Sequence, residues 1–161
     1  MKNFFVTVIL IIWGLSFVFV AIRFTKEGDA APQAEDDEIK VNIQFDLGED
    51  IGLFLVDYDV EGNQGKGGIS NADKSMLKRD QTDLFWSFDK EHFGNSVNTV
   101  DVTIQFTVVT QYFNPNYDNI YPDAYTIPAG TVSFTAQFGE IYYVMITGNR
   151  DDGYQATFQN N

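Results

Sequence analysis

Cysteine is absent from the 161 residues, histidine occurs once, and ten basic residues stand against 23 acidic ones. Without cysteine there is no structural disulfide, no thiolate metal site, no thiol nucleophile and no lipid carried on a cysteine. The single histidine, His92, excludes a multi-histidine metal centre and gives a hydrolytic triad no support. Between Glu91 and Phe93 it reads as an exposed loop residue. The shortage of positive charge is sharper than the net −13 suggests, because Lys2, Arg23 and Lys26 all precede the first acid. After residue 26 the chain carries 23 acids and 7 bases, a net −16. Such a surface repels polyphosphate and anionic lipid headgroups, so no nucleic-acid partner is expected. The acidity itself reads as a solubility device.

Charge is missing altogether from nineteen consecutive residues, 4–22, which open on Phe4 and close on Ile22 (FFVTVILIIWGLSFVFVAI). As a helix this run would extend roughly 28 Å, close to the hydrocarbon thickness of a bilayer. The spacing predicts a transmembrane helix acting as an uncleaved signal anchor, longer than the apolar core of a cleaved signal peptide. The alternative is cleavage after Ala30, in the small-residue sequence Gly28-Asp29-Ala30, which would secrete the remainder. Positive charges flank the run equally, and a short N-terminal tail before an acidic domain places the C-terminal part outside the cell.

Residues 27–38 (EGDAAPQAEDDE) combine Gly, Pro, Ala and six carboxylates, too little apolar surface to fold, and predict a disordered tether. The division is therefore 1–26 anchor with flanks, 27–38 tether, and 39–161 folded domain. Strict alternation begins at Ile39, with Val41, Ile43, Phe45 and Leu47 on the same face, and predicts a half-buried strand. A strand over 51–60 is apolar on both faces at its start, as a central strand is. Leu84 to Phe88 (LFWSF) reads as another. Val100, Val102, Ile104, Phe106 and Val108 alternate until Val109 breaks the phase, which calls for a β-bulge or a switch of sheet. Val132, Phe134, Ala136 and Phe138, then 141–147, then Tyr154, Ala156 and Phe158 complete seven or so strands. The pattern predicts an all-β antiparallel sandwich, immunoglobulin-like first and jelly-roll or small barrel second. One short helix is expected over 71–77, opened by Ser70-x-x-Asp73.

Four stretches bear on function. Asp57-x-Asp59-x-Glu61-Gly62 places oxygen ligands as the first half of a calcium loop does, but the closing acid would fall at Gly68, so the three also read as the solvent face of a strand. Residues 61–68 (EGNQGKGG) lack the spacing of a phosphate-binding loop, so no nucleotide is expected; a mobile hairpin or inter-sheet loop fits better. Carboxylate pairs for glycoside hydrolysis are defined by separation in space, and no catalytic set is legible in the order of residues. Residues 112–128 (YFNPNYDNIYPDAYTIP) form the longest irregular connection. They set Tyr112, Tyr117, Tyr121 and Tyr125 among Asp118, Asp123 and three asparagines. Aromatic faces bordered by amides and carboxylates suit a protein or glycan partner, and they equally suit a loop pinned by its own tyrosines. The sequence thus implies a membrane-anchored, non-enzymatic binding module at the cell surface with no cofactor. The alternative is an accessory subunit of a larger membrane complex, packed through Trp13-Gly14-Leu15-Ser16, where small residues allow helices to approach.

Overall fold

The computed structural model describes residues 7–8, 21–22, 34–94, 97–111 and 123–159. Within the apolar run it describes only β1 (Thr7–Val8) and β2 (Ala21–Ile22), which pair antiparallel, so these four residues are extended and not in the expected helix. The rest of the expected span lies outside the described residues, and among the described residues no helix is long and apolar enough to cross a membrane. Of the expected tether, Asp36 and Asp37 form a turn, and Glu38 already belongs to the first strand of the domain.

Eight strands build that domain: β3 (Glu38–Leu47), β4 (Leu53–Val60), β5 (Asn63–Ile69), β6 (Leu84–Asp89), β7 (Thr99–Val109), β8 (Thr126–Gln137), β9 (Ile141–Asn149) and β10 (Gly153–Gln159). They form two four-stranded sheets, ordered β10-β9-β3-β6 and β5-β4-β7-β8. Every pairing is antiparallel except β3 with β9. This is the all-β sandwich that the alternation predicts. The immunoglobulin-like order does not hold, because that topology pairs the first two strands within one sheet, whereas β3 and β4 lie in opposite sheets. The crossing is made by residues 48–52, where Ile51 plunges into the core and bridges Leu77. Period-two patterning identifies a strand and its buried face and carries no information about its neighbour.

The inward residues are those whose periodicity marks them. Ile39, Val41 and Ile43 are fully buried, as are Phe54, Val56, Leu84, Ile104, Phe106, Val144 and Ile146. Rings join the sheets: Phe54 of one meets Phe45 of the other edge-on at 5.1 Å and stacks on Phe106 at 5.4 Å. Each such ring contributes roughly 1.5–3 kcal/mol by leaving water. Phe134 stacks on Phe158 at 4.7 Å and seals the corner between β8 and β10.

Three local expectations change. The bulge exists, but on β8: Phe106 faces Gly130 and Thr107 faces Pro128, so Ala129 is the extra residue and Gly130 takes φ +102°. β8 starts earlier than the alternation indicates, and Pro128 is tolerated because β8 is an edge strand. The glycine-rich stretch lies in a hairpin, as expected, but most of it is a paired strand. Glu61 and Gly62, at φ 50° and 81°, make the two-residue turn, and Asn63 to Ile69 then pair with β4. Gly65 is required there because a Cβ would collide with the Tyr58 ring. No helix forms over 71–77. Asp73 accepts from the backbone N–H and hydroxyl of Ser75 at 2.9 and 2.6 Å, while the Asn71 amide reaches Met76 O at 3.0 Å. These short side chains satisfy the backbone locally and outcompete a helical turn, and Leu77 is drawn into its bridge with Ile51.

Candidate functional site

Strand direction sorts the connections into two groups. β3 runs away from the point where the chain enters at Glu38, β4 returns, and each later strand reverses the last. Residues 48–52, 70–83 and 150–152, with 110–111 and 123–125 at the two ends of the β7–β8 connection, therefore gather at the end opposite the entry. Residues 61–62, 90–94, 97–98 and 138–140 gather beside it. With strands of 10 residues such as β3, the two ends are separated by about 33 Å.

Of the six residues expected to contact a partner, Tyr112, Tyr117, Asp118 and Tyr121 lie outside the described residues. Asp123 and Tyr125 belong to a single 3-10 turn, Asp123–Tyr125, leading into β8 at the far end. Asp123 is exposed. Tyr125 is half-buried, and its carbonyl accepts the Thr110 N–H at 2.8 Å, which closes the neck of the connection. The Arg150 guanidinium lies 5.0 Å from the centre of the Tyr125 ring, within cation–π range.

Arg150 is held in turn by the frame. Its backbone N–H donates to Glu49 Oε1 at 2.9 Å, and the same carboxylate oxygen accepts the hydroxyl of buried Tyr154. Burial, followed by the hydrogen bond and the negative charge of Glu49, pushes the Tyr154 phenol well above its ordinary value. Asn149 shapes the β9–β10 turn by accepting the N–H groups of Asp151 and Asp152 at 2.8 and 2.9 Å. Nearby, Asp50 accepts from Lys78 Nζ at 2.7 Å and from the Arg79 N–H at 3.0 Å, which holds its carboxyl below the usual range. The sequence does not mark Glu49 with Arg150 and Tyr154, because Glu49 stands 101 and 105 positions from them and no local pattern links it to either.

The Asp57, Asp59 and Glu61 carboxylates occupy the outer face of β4 and its turn. Asp59 accepts from the Gly62 N–H and from Gln64 Nε2, both at 2.8 Å, and Glu61 accepts the Asp101 N–H at 2.8 Å. Asp59 thus serves the hairpin, and Glu61 ties its turn to β7. Among the described residues a different group converges: one donor atom each from Asp89, Glu91 and His92, all within 4.8 Å of one another. It lies at the entry end, on the 3-10 turn Lys90–His92 that follows β6. His92 is exposed, as expected. Burial raises the Asp89 carboxyl above its ordinary value; His92 opposes the rise, and repulsion from Glu38, Glu91 and Asp37 adds to it.

No protein-family model matches the chain, and no curated protein matches it significantly.

Proposed function

We propose that the chain is a membrane protein, anchored through the apolar run of residues 4–22, whose sandwich stands outside the cell and binds a protein or glycan without catalysis. The observation that carries this reading is that the β7–β8 connection leaves and rejoins the sandwich, at Thr110 and Tyr125, at the end farthest from the entry at Glu38. A domain tethered at one end presents the other to its surroundings. The connection is long, its neck is closed by the Thr110–Tyr125 hydrogen bond, and its Tyr125 ring is backed by Arg150. A ring fixed by a guanidinium makes a contact platform at low entropic cost.

Two experiments test the two halves of the proposal. Protease treatment of intact cells should remove a C-terminal tag while residues 1–26 stay with the membrane; a protected tag places the domain inside, and a soluble chain beginning at Ala31 means secretion. For binding, the purified chain is offered to glycan and surface-protein arrays beside the Tyr117→Ala, Tyr121→Ala and Tyr125→Ala variants. Capture should be lost in the variants with unfolding temperatures preserved. Capture that survives all three substitutions removes the connection from the binding surface.

A further inference from the structure

We infer that Asp89, Glu91 and His92 form a surface site for a first-row divalent metal ion of the zinc class, at the end of the sandwich where the chain enters. The three donors come from four consecutive residues, and the local backbone brings them together: β6 ends on Asp89, and the 3-10 turn folds Glu91 and His92 back over it, leaving donor atoms within 4.8 Å of one another. One imidazole nitrogen with two carboxylates suits zinc and its neighbours, which take mixed nitrogen and oxygen ligands, better than calcium or magnesium, which take oxygen.

Two further features favour an ion there. His92 Nδ1 lies 3.3 Å from the backbone carbonyl of Asp89. A carbonyl only accepts, so this contact puts the proton on Nδ1 and leaves Nε2 with a free lone pair, the arrangement that orients metal-ligating histidines. The cation nearest in sequence is also turned elsewhere: Lys90 Nζ donates to Asn98 Oδ1 at 3.2 Å and lies 5.5 Å from the centre of the Phe138 ring. The cross-strand neighbour of Asp89 is Glu38, whose carboxylate is paired with Lys40 at 3.0 Å. Asp89 and Glu91 thus face one another with His92. The Lys90 N–H also donates to Asp37 O at 2.8 Å, so an ion on this turn would stiffen the junction between tether and sandwich.

Because His92 is the only histidine, its ring resonances report on the site without ambiguity. Titrating Zn2+ into the full chain should shift them, saturate at a single equivalent and raise the unfolding temperature, while Ca2+ and Mg2+ leave the ring unmoved. His92→Ala and Glu91→Gln, both at exposed positions, should weaken Zn2+ binding by about 100-fold, the upper end of what loss of even an outer ligand partner costs. Asp57→Asn should bind as the wild type does. A ring unmoved by excess Zn2+, undiminished binding in His92→Ala, or an equal response to Ca2+ would overturn the assignment, the last by indicating only counter-ion condensation on an acidic surface.

Discussion

Replacing Tyr154 by Phe removes one oxygen and tests how the far-end connections are held. The ring stays buried, so the transfer free energy of the side chain is nearly unchanged, and what is lost is a hydrogen bond to the Glu49 carboxylate. Hydrogen bonds to charged groups contribute about 1.5–3 kcal/mol. Glu49 keeps the Arg150 N–H and is half-buried, so water can replace part of the loss. The lower end of the range applies, about 1.5 kcal/mol or a fall in Tm of roughly 5 °C for a domain this size. Alkaline titration separates this account from simple packing. The folded phenol is held above the ordinary tyrosine value, so the folded state keeps a proton that the unfolded chain releases. Its contribution is complete below about pH 10 and is lost as pH rises through the folded value. Wild type and Tyr154→Phe should therefore differ at pH 7 and converge in strong alkali, the subtraction cancelling the other tyrosines. Denaturant melts across that range decide the matter. Equal stability at pH 7, or curves that stay parallel above pH 10, would refute it.

Gly65→Val sets a branched side chain against the Tyr58 ring and should cost about 1–3 kcal/mol by overpacking, read as a lower urea midpoint at unchanged m. Trp86 is buried with its indole N–H lacking a hydrogen-bond partner among the described residues. Trp86→Phe therefore breaks no hydrogen bond and should cost under about 1.5 kcal/mol, far less than Trp86→Ala at about 3–5; equal losses in urea melts would show that the N–H is in fact engaged. Asp89→Asn should stabilise the metal-free chain at pH 7 by a few tenths of a kcal/mol, because burial and the nearby carboxylates disfavour its charge. The raised folded value makes that cost vanish below the unfolded value near pH 3.9, so melts of the two proteins at pH 3 should coincide.

What the sequence discloses follows the physics of each element. The inward face from Ile39 to Leu47 and that from Val100 to Val108 are legible because one side of each strand is dry, which forces period two. β4 and β9 are legible as central strands from apolar residues on both faces. β5 is not. Its glycines, Gln64 and Lys66 bear no alternation, and its place comes from pairing with β4 and from the Tyr58 ring lying where a Gly65 side chain would be. The parallel contact of β3 with β9 joins segments about a hundred residues apart, beyond any local pattern. Of the candidate site, Asp123 and Tyr125 could be marked as loop residues, but the carboxylate that fixes their neighbour Arg150 comes from another turn. Asp89, Glu91 and His92 form no pattern that the sequence singles out, because their convergence comes from the fold-back of the chain after β6.

The far end is set by the frame and not by the connection alone. Glu49 binds two residues of the β9–β10 region, Arg150 and Tyr154, so the β3–β4 and β9–β10 turns move together. Arg150 lies over Tyr125, whose carbonyl closes the neck at Thr110. A chain of four contacts thus runs from a buried hydroxyl to the base of the connection that carries the proposed contacts. Tying the neck removes closure entropy that a partner would otherwise have to overcome. Weakening Glu49 or Tyr154 should then reduce capture through a slower, less ordered association even though neither residue would touch the partner, whereas removing Tyr125 should act on the contact itself. Association rates that fall for Tyr154→Phe while Tyr125→Ala raises dissociation would separate the frame from the surface it holds; identical kinetic signatures would mean that the buried hydroxyl has no part in presenting the connection.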